Sequence, residues 1–491
     1  MIKHNSSLGR RSLLFSLILF CGTILLVSAS IVAQPPSPRS VLGFTPADDR
    51  TIADWTQIRD YFTKLDAGSG KVKVQEFGKT TLGRPMIVAF ISSEENIKNL
   101  DRYREMNQKL ADPRRIPEGG IYDQASTILD NGKTIVSISC SIHSNEIVGS
   151  QMSMNLAYEL ATSDDVETKE ILENTILLLI PSSNPEGIDI VASWYRKTLG
   201  TKSEGTVPPE LYHHYAGHDN NRDWFMLNLK ETQAITKLYW QEWFPQIVFD
   251  VHQMGQTGPR FVIPPFYDPP NPRIAPSIVR EVGLIGYKMA ADLQAKNIKG
   301  IATNTTFDMW WHGGFRSAPY YHNSIGILSE AASAELMSPV TITKEQLQRT
   351  RPARGLNSPL ENVISHPDPW EGGVWSPADI NQIEIVASRA LLQMAAKFRR
   401  RYLENFYQLN KKDLMLDGSV PKAFVLIAGQ PNTEAISRFL EILRWQGIEV
   451  HEMTHELWVK HSPEEEFHEI PLGSFLIFTD QPQKRNVLSL L

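Results

Sequence analysis

The chain has 491 residues, enough to bury a large core and to hold more than one domain. Its 42% hydrophobic and 21% charged content is that of a globular protein and excludes a disordered or fibrous one. A net charge of −6 with a pI near 6.1 removes the electrostatic case for nucleic acid as a partner.

The first element is a targeting segment. "MIKHNSSLGRR" carries Lys3, Arg10 and Arg11, "SLLFSLILFCGTILLV" is an apolar core, and "SAS" and "IVAQ" offer cleavage after Ala29 or Ala33. This pattern reads as a signal peptide over 1–33, so the protein is expected to be exported, periplasmic or secreted. Contact with a membrane is then expected only through that segment. Arg10-Arg11 also permits a twin-arginine route. Cys21 leaves with the signal and Cys140 remains alone, so the mature chain has no intrachain disulfide. Residues 34–50, with "QPPSPRS", read as a linker.

A catalytic domain is expected over 51–410. "TIADWTQIRDYFTKLDAG" (51–68) has a helical pattern. Strand-like runs follow: "MIVAFIS", "KTIVSISC", "NTILLLIP", "PQIVFDVHQ" and "SIGILSEAAS". Amphipathic stretches separate several of them, including 147–160 and "LKETQAITKLYWQEW" (229–243). The order predicts an α/β fold with a mixed central sheet and helices on both faces. "GPRFVIPPFYDPPNPRIAP" (258–276) is too rich in proline for a helix and reads as a surface loop. A long helical pattern over 382–409 closes the domain. After it, "AFVLIA", "NTEAISRFLEILRWQG" and "IEVHEM" give a β-α-β pattern, and 420–491 is expected to be a small partial α/β domain.

The chemistry concentrates at strand ends. In "CSIHSNEIVGSQ" (140–151), His143 and Glu146 stand where a β-branched run gives way to a helical one, at the carboxyl end of a strand. A catalytic zinc site takes three N or O ligands and leaves one position open. His252, at the end of "PQIVFDVH", supplies a third, and Asp250 is placed to orient a ligand from behind. Hydrolysis also needs a general base, and Glu330 ends a further apolar run in "NSIGILSEAAS". His213, His214 and His218 cluster in a loop without carboxylate partners and read as polar surface.

Several motifs in order resemble those of the zinc carboxypeptidases of the carboxypeptidase A type, the M14 peptidases, over roughly residues 50–400. They are "GRPM" (83–86), "HSNE" (143–146), "NPEG" (184–187), "WYRKT" (194–198) and "DNNRDW" (219–224), followed by His252 and Glu330. The resemblance implies Zn²⁺ held by His143, Glu146 and His252, with Glu330 as general base. It implies Arg196 as the group that stabilises the oxyanion, and Asn221 and Arg222 as the holders of a substrate's terminal carboxylate. The implied activity is hydrolysis of C-terminal peptide bonds of peptides or proteins, peptidoglycan peptides among them. A zinc amidohydrolase acting on peptidoglycan stem peptides or acyl-amino acids, and a non-catalytic exported binding protein of the same fold, are the alternatives.

The sequence also departs from the family pattern. Met309 or Trp310 falls where the family carries a capping tyrosine, and the choice between Tyr320 and Tyr321 as a substitute stays open. Glu186 and Asp223 replace the usual Asp and Asn and are expected to add charge near the cleft. The residue that sets side-chain preference falls near Phe315 or Arg316. Arg316 in that role would favour an acidic terminal side chain.

Overall fold

A computed structural model describes residues 35–117, 124–211, 219–416, 418–460 and 464–491. The segment 1–33 read as a signal peptide, and His213, His214 and His218, lie outside these residues.

The apolar runs form the strands β1 (Val72–Lys79), β2 (Pro85–Ile91), β3 (Thr134–Cys140), β4 (Thr175–Ile180), β5 (Ile247–Met254), β6 (Phe261–Val262), β7 (Ile301–Ala302) and β8 (Ile325–Ala332). They make one eight-stranded sheet in the order β1-β2-β4-β3-β5-β8-β6-β7. Pairs β4/β3, β3/β5, β5/β8 and β6/β7 are parallel, while β1/β2, β2/β4 and β6/β8 are antiparallel. The sheet is therefore mixed, as the sequence predicts.

Continuous apolar runs suit strands buried on both faces. β3 and β4 are buried along their whole length. Val136, Ile138, Leu177 and Leu179 face one core, which includes residues of the helices Trp55–Gly68, Val148–Thr162, Pro276–Ala295 and Pro377–Lys397. Ile135, Ile176, Leu178 and Ile180 face the other core, with Tyr103, Ile235, Tyr239 and Trp243. This period-two division is what a strand's alternating side chains impose.

Four segments differ from their sequence expectation. The linker 34–50 packs rather than spans: it holds a short helix, Pro38–Leu42, capped by Ser37, and Ala47 is 2% exposed. The helical run 229–243 is α-helical only over Lys230–Lys237 and continues as a π-helix to Trp243. The long C-terminal helix of the catalytic domain breaks at Phe398 into Pro377–Lys397 and Arg399–Asp413. The proline-rich loop contributes β6 and a cis Pro264–Pro265 bond.

The last seventy residues form a small α/β unit that packs on the catalytic domain. Strand Phe475–Phe478 lies between Ala423–Leu426 and His451–Glu452 and is antiparallel to both. This small sheet belongs to the same compact unit as the rest of Gln34–Leu491. Its helices are bonded to the larger sheet's surroundings: Gln446 donates to the Trp224 carbonyl at 2.9 Å, and Arg485 meets Asp413 at 3.1 Å. Among the described residues, no helix is long and apolar enough to cross a membrane.

Candidate active site

Because β3, β5 and β8 run parallel, their carboxyl ends lie along one edge of the sheet. Parallel sheets place ligand sites at that edge. His143 and Glu146 lie in the turn after β3, His252 is in β5, and Glu330 is its register partner in β8. The turn is fixed locally. Ser141 adopts a left-handed φ of 48°, and its Oγ donates to the Glu146 carbonyl at 3.0 Å. The Glu146 N–H closes the turn on the His143 carbonyl at 3.0 Å.

Glu146 stands between the two imidazoles. Its Oε1 lies 2.9 Å from His143 Nδ1 and its Oε2 lies 2.8 Å from His252 Nδ1. One ligand atom from each residue falls within 4.8 Å of the other two. The outer nitrogens are also occupied. His143 Nε2 is 2.9 Å from Asp219 Oδ1, and His252 Nε2 is 2.7 Å from Asp250 Oδ2. With Asp219 and Asp250 on the outer nitrogens, both Nδ1 atoms face Glu146, the orientation in which metal-ligating histidines are held from behind. A facing pair of Nδ1 atoms with a carboxylate between them is a donor set that fits zinc.

The electrostatics follow from this crowding. Burial alone would lower the His143 pKa, but Glu146 and Asp219 outweigh it and raise it to about 9. Burial alone would raise Glu146, but His252 and His143 bring it down to about 2. His252 is likewise pushed above the usual imidazole range, because Asp250 and Glu146 overcome its desolvation. The surrounding carboxylates thus favour the protonated form of both imidazoles. Glu330 differs: burial raises its pKa, opposed by His252 and reinforced by Glu146. A carboxylate made more basic in this way suits a proton acceptor.

The remaining sequence candidates divide. Asn221 is buried beside the triad. Its Nδ2 is 3.0 Å from His252 Nε2 and 3.4 Å from Asp250, and its Oδ1 accepts from the Phe315 N–H at 2.7 Å. Arg222 is half exposed, 3.5 Å from Asp219 and 5.9 Å from the Trp311 ring centroid. Arg196 is not brought to the triad. Its helix, Pro185–Thr198, starts beside the His143 turn, where Asn184 donates to the Ile142 carbonyl. Twelve residues of helix carry Arg196 about 18 Å along the axis from that point. There its guanidinium bonds Asp54, Gln57 and the Ile52 carbonyl. The oxyanion role implied by "WYRKT" therefore does not match its position.

Three further expectations are corrected. Tyr320 and Tyr321 are buried and donate to the Gly326 and Trp310 carbonyls, so neither is free to cap a substrate. Glu186 and Asp223 do not charge the cleft. Glu186 accepts from the Leu82 N–H, and Asp223 accepts from the N–H groups of Asn228 and Leu229.

The structure adds two residues that sequence reasoning missed. Asp219 opens the "DNNRDW" motif, and its place two residues before Asn221 was the available signal. Arg354 reaches Glu330 Oε1 at 3.4 Å from an irregular loop, and nothing in its local sequence marks it.

Residues 58–243 match the family model for zinc carboxypeptidases, Peptidase M14. The match includes His143, Glu146 and the Asn221-Arg222 pair and ends before His252 and Glu330. No curated protein sequence matches the chain. Among solved structures it is similar to thrombin-activatable fibrinolysis inhibitor, at 11% identity and TM-score 0.44, over 74% of this chain and 79% of that one. It is also similar to carboxypeptidase A from Helicoverpa armigera, at 15% identity and TM-score 0.43, over 73% and 79%. A metallo-carboxypeptidase from Pseudomonas aeruginosa matches at 14% identity and TM-score 0.42, over 70% and 68%. Over residues 58–243 the chain is thus similar to the zinc carboxypeptidases.

Proposed function

We propose that the protein is an exported carboxypeptidase that binds Zn²⁺ through His143, Glu146 and His252 and releases C-terminal residues with Glu330 as general base. The observation that carries this reading is the His–Glu–His cluster with Glu330 beside His252 in register. A zinc ion supplies a Lewis acid there, lowering the pKa of water toward about 7 and polarising a carbonyl. Glu330 takes a proton from the attacking water and delivers it to the leaving amine, so the peptide C–N bond breaks as a C–O bond forms. Arg222 holds the substrate's terminal carboxylate in this reading, its guanidinium offering a two-pronged match. Asn221 contributes by fixing Asp250 and the Phe315 backbone. The substrate is a peptide or protein C-terminus, and the signal-like segment supports an exported setting.

The test is metal content together with amino-acid release from a mixed peptide library, for the wild type and Glu330→Gln. About one zinc per chain is expected, with release lowered by 10²-fold or more in the variant, as loss of a positioned acid–base group implies. Zinc binding with no release would move the reading to an amidohydrolase on peptidoglycan stem peptides or acyl-amino acids. A folded protein that binds no zinc would overturn it.

A further inference from the structure

The carbonyl that precedes His143 is held from two sides. The Ile142 oxygen accepts from Asn220 Nδ2 at 2.7 Å and from Asn184 Nδ2 at 3.3 Å. Asn184 heads the helix Pro185–Thr198, where its own Oδ1 caps the Gly187 N–H, and Asn220 belongs to the segment that carries Asp219 and Asn221. Three stretches far apart in the chain thus meet at the start of the His143 turn.

The Nδ2 contact settles which way the Asn220 amide faces. Turned over, it would set its oxygen against the Ile142 oxygen. Asn220 Oδ1 therefore points away from the turn, and there it has no partner among the described residues, although Asn220 is only 5% exposed. Trp224 Nε1–H is likewise buried without a partner among those residues. Its ring is not free to turn, being stacked on Phe315 with centroids 4.2 Å apart. Both residues line one small cavity with Ile142, Ser183 and Glu231. Its volume of about 10 Å³ has room for the centre of one water, and not for an organic ligand or a hydrated ion.

The chemistry of the wall selects the same occupant. An indole N–H only donates and an amide oxygen only accepts. A cation would face the N–H, and an anion would face the oxygen. A molecule that both accepts and donates satisfies the two at once. Its second proton is available to the Glu231 carboxylate, which the Thr81 N–H holds in the wall at 2.7 Å. We propose that this cavity is the site of one structural water, accepting from Trp224 Nε1 and donating to Asn220 Oδ1, and that Asn220 and the water together position the His143 turn. Asn220 is a positioning residue: it acts on His143 through the Ile142 carbonyl and touches no reacting atom. Its effect on metal binding rests on the zinc reading above.

A crystal structure of the zinc-loaded full chain reads the water. Density for one water about 2.7–3.2 Å from both atoms is expected, and a dry cavity overturns the site. Competition against a chelator reads the positioning, on the wild type, Asn220→Ala and Trp224→Phe. Asn220→Ala is expected to lower zinc affinity about 10- to 100-fold, as loss of a group behind a metal ligand does. Trp224→Phe keeps a ring and removes the N–H, and its affinity is expected to fall in the same direction by less. A merely structural role would leave the affinity of the folded protein unchanged, so wild-type affinity in Asn220→Ala overturns the positioning role. If that variant does not fold, Trp224→Phe carries the same test. If the wild type itself binds no zinc, the carboxypeptidase reading fails, and the NMR signals of the His143 ring nitrogens replace affinity. A shift of those signals in Asn220→Ala sustains the positioning role, and an unmoved spectrum overturns it.

Discussion

Asp219 shows how much of the site depends on single atoms behind the proposed zinc ligands. Its Oδ1 holds His143 Nε2 at 2.9 Å and also accepts the Asn221 N–H at 2.8 Å. Asp219→Asn keeps the shape but removes the charge that makes His143 a strong, correctly oriented donor. Zinc affinity is expected to fall about 10- to 100-fold, with the fold intact. Competition with a chelator of known affinity measures this, and an unchanged affinity would mean that Asp219 does not orient the ligand. His143, Glu146, His252 and Glu330 were all legible in the sequence, because each ends or follows an apolar strand run. Arg196 and Arg354 were not. Motif order promoted the first, but helix rise carries it away. The second is brought to Glu330 by a loop with no periodic pattern.

At the scale of elements, the strands set where the chemistry stands. Gly326 in β8 is the sharpest case. A Cβ there would fall 1.7 Å from the Arg316 carbonyl oxygen and 3.1 Å from the Tyr320 ring. The strand that carries Glu330 therefore lies directly against the segment that carries Arg316, and only glycine permits that approach. Gly326→Ala forces backbone to move, and the expected loss is at least the ~1–3 kcal/mol of an overpacked core. Urea unfolding measures it, and an unchanged midpoint would mean that the two segments separate at no cost. The π-helix over Leu238–Trp243 is a similar local adjustment that a 3.6-residue period does not foresee. The apolar spacing of 229–243 located the helix without revealing its change of pitch.

For the whole molecule, the attachment of the C-terminal segment is the feature most open to test by pH. His322 stacks on Trp240 with ring centroids 4.1 Å apart and is 3.3 Å from both Gln446 and Asn486. Burial lowers its pKa to about 4, only partly opposed by its hydrogen bonds. The unfolded chain, with an ordinary imidazole near 6.5, binds the proton more readily than the folded one. This contribution to stability is thus complete above about pH 6.5 and declines as pH falls toward 4, by about 3 kcal/mol in all. His322→Gln should flatten that part of the profile. Urea melts of both proteins between pH 7 and pH 4.5 compare the slopes, and identical slopes would show that His322 does not titrate differently on folding.

The sequence by itself determined the strands, the two-sided core and the three zinc-ligand candidates. These follow from local periodicity and from residue types at the ends of apolar runs. Only the tertiary structure decided that 34–50 and 420–491 pack with the catalytic sheet, that Arg196 binds Asp54, and that Arg316 and Arg354 meet at Phe307. Those outcomes depend on contacts between residues far apart in the chain, which periodicity does not encode. Arg354 lies only 24 positions from Glu330 in sequence, but an irregular loop folding back along β7 is what brings them to 3.4 Å.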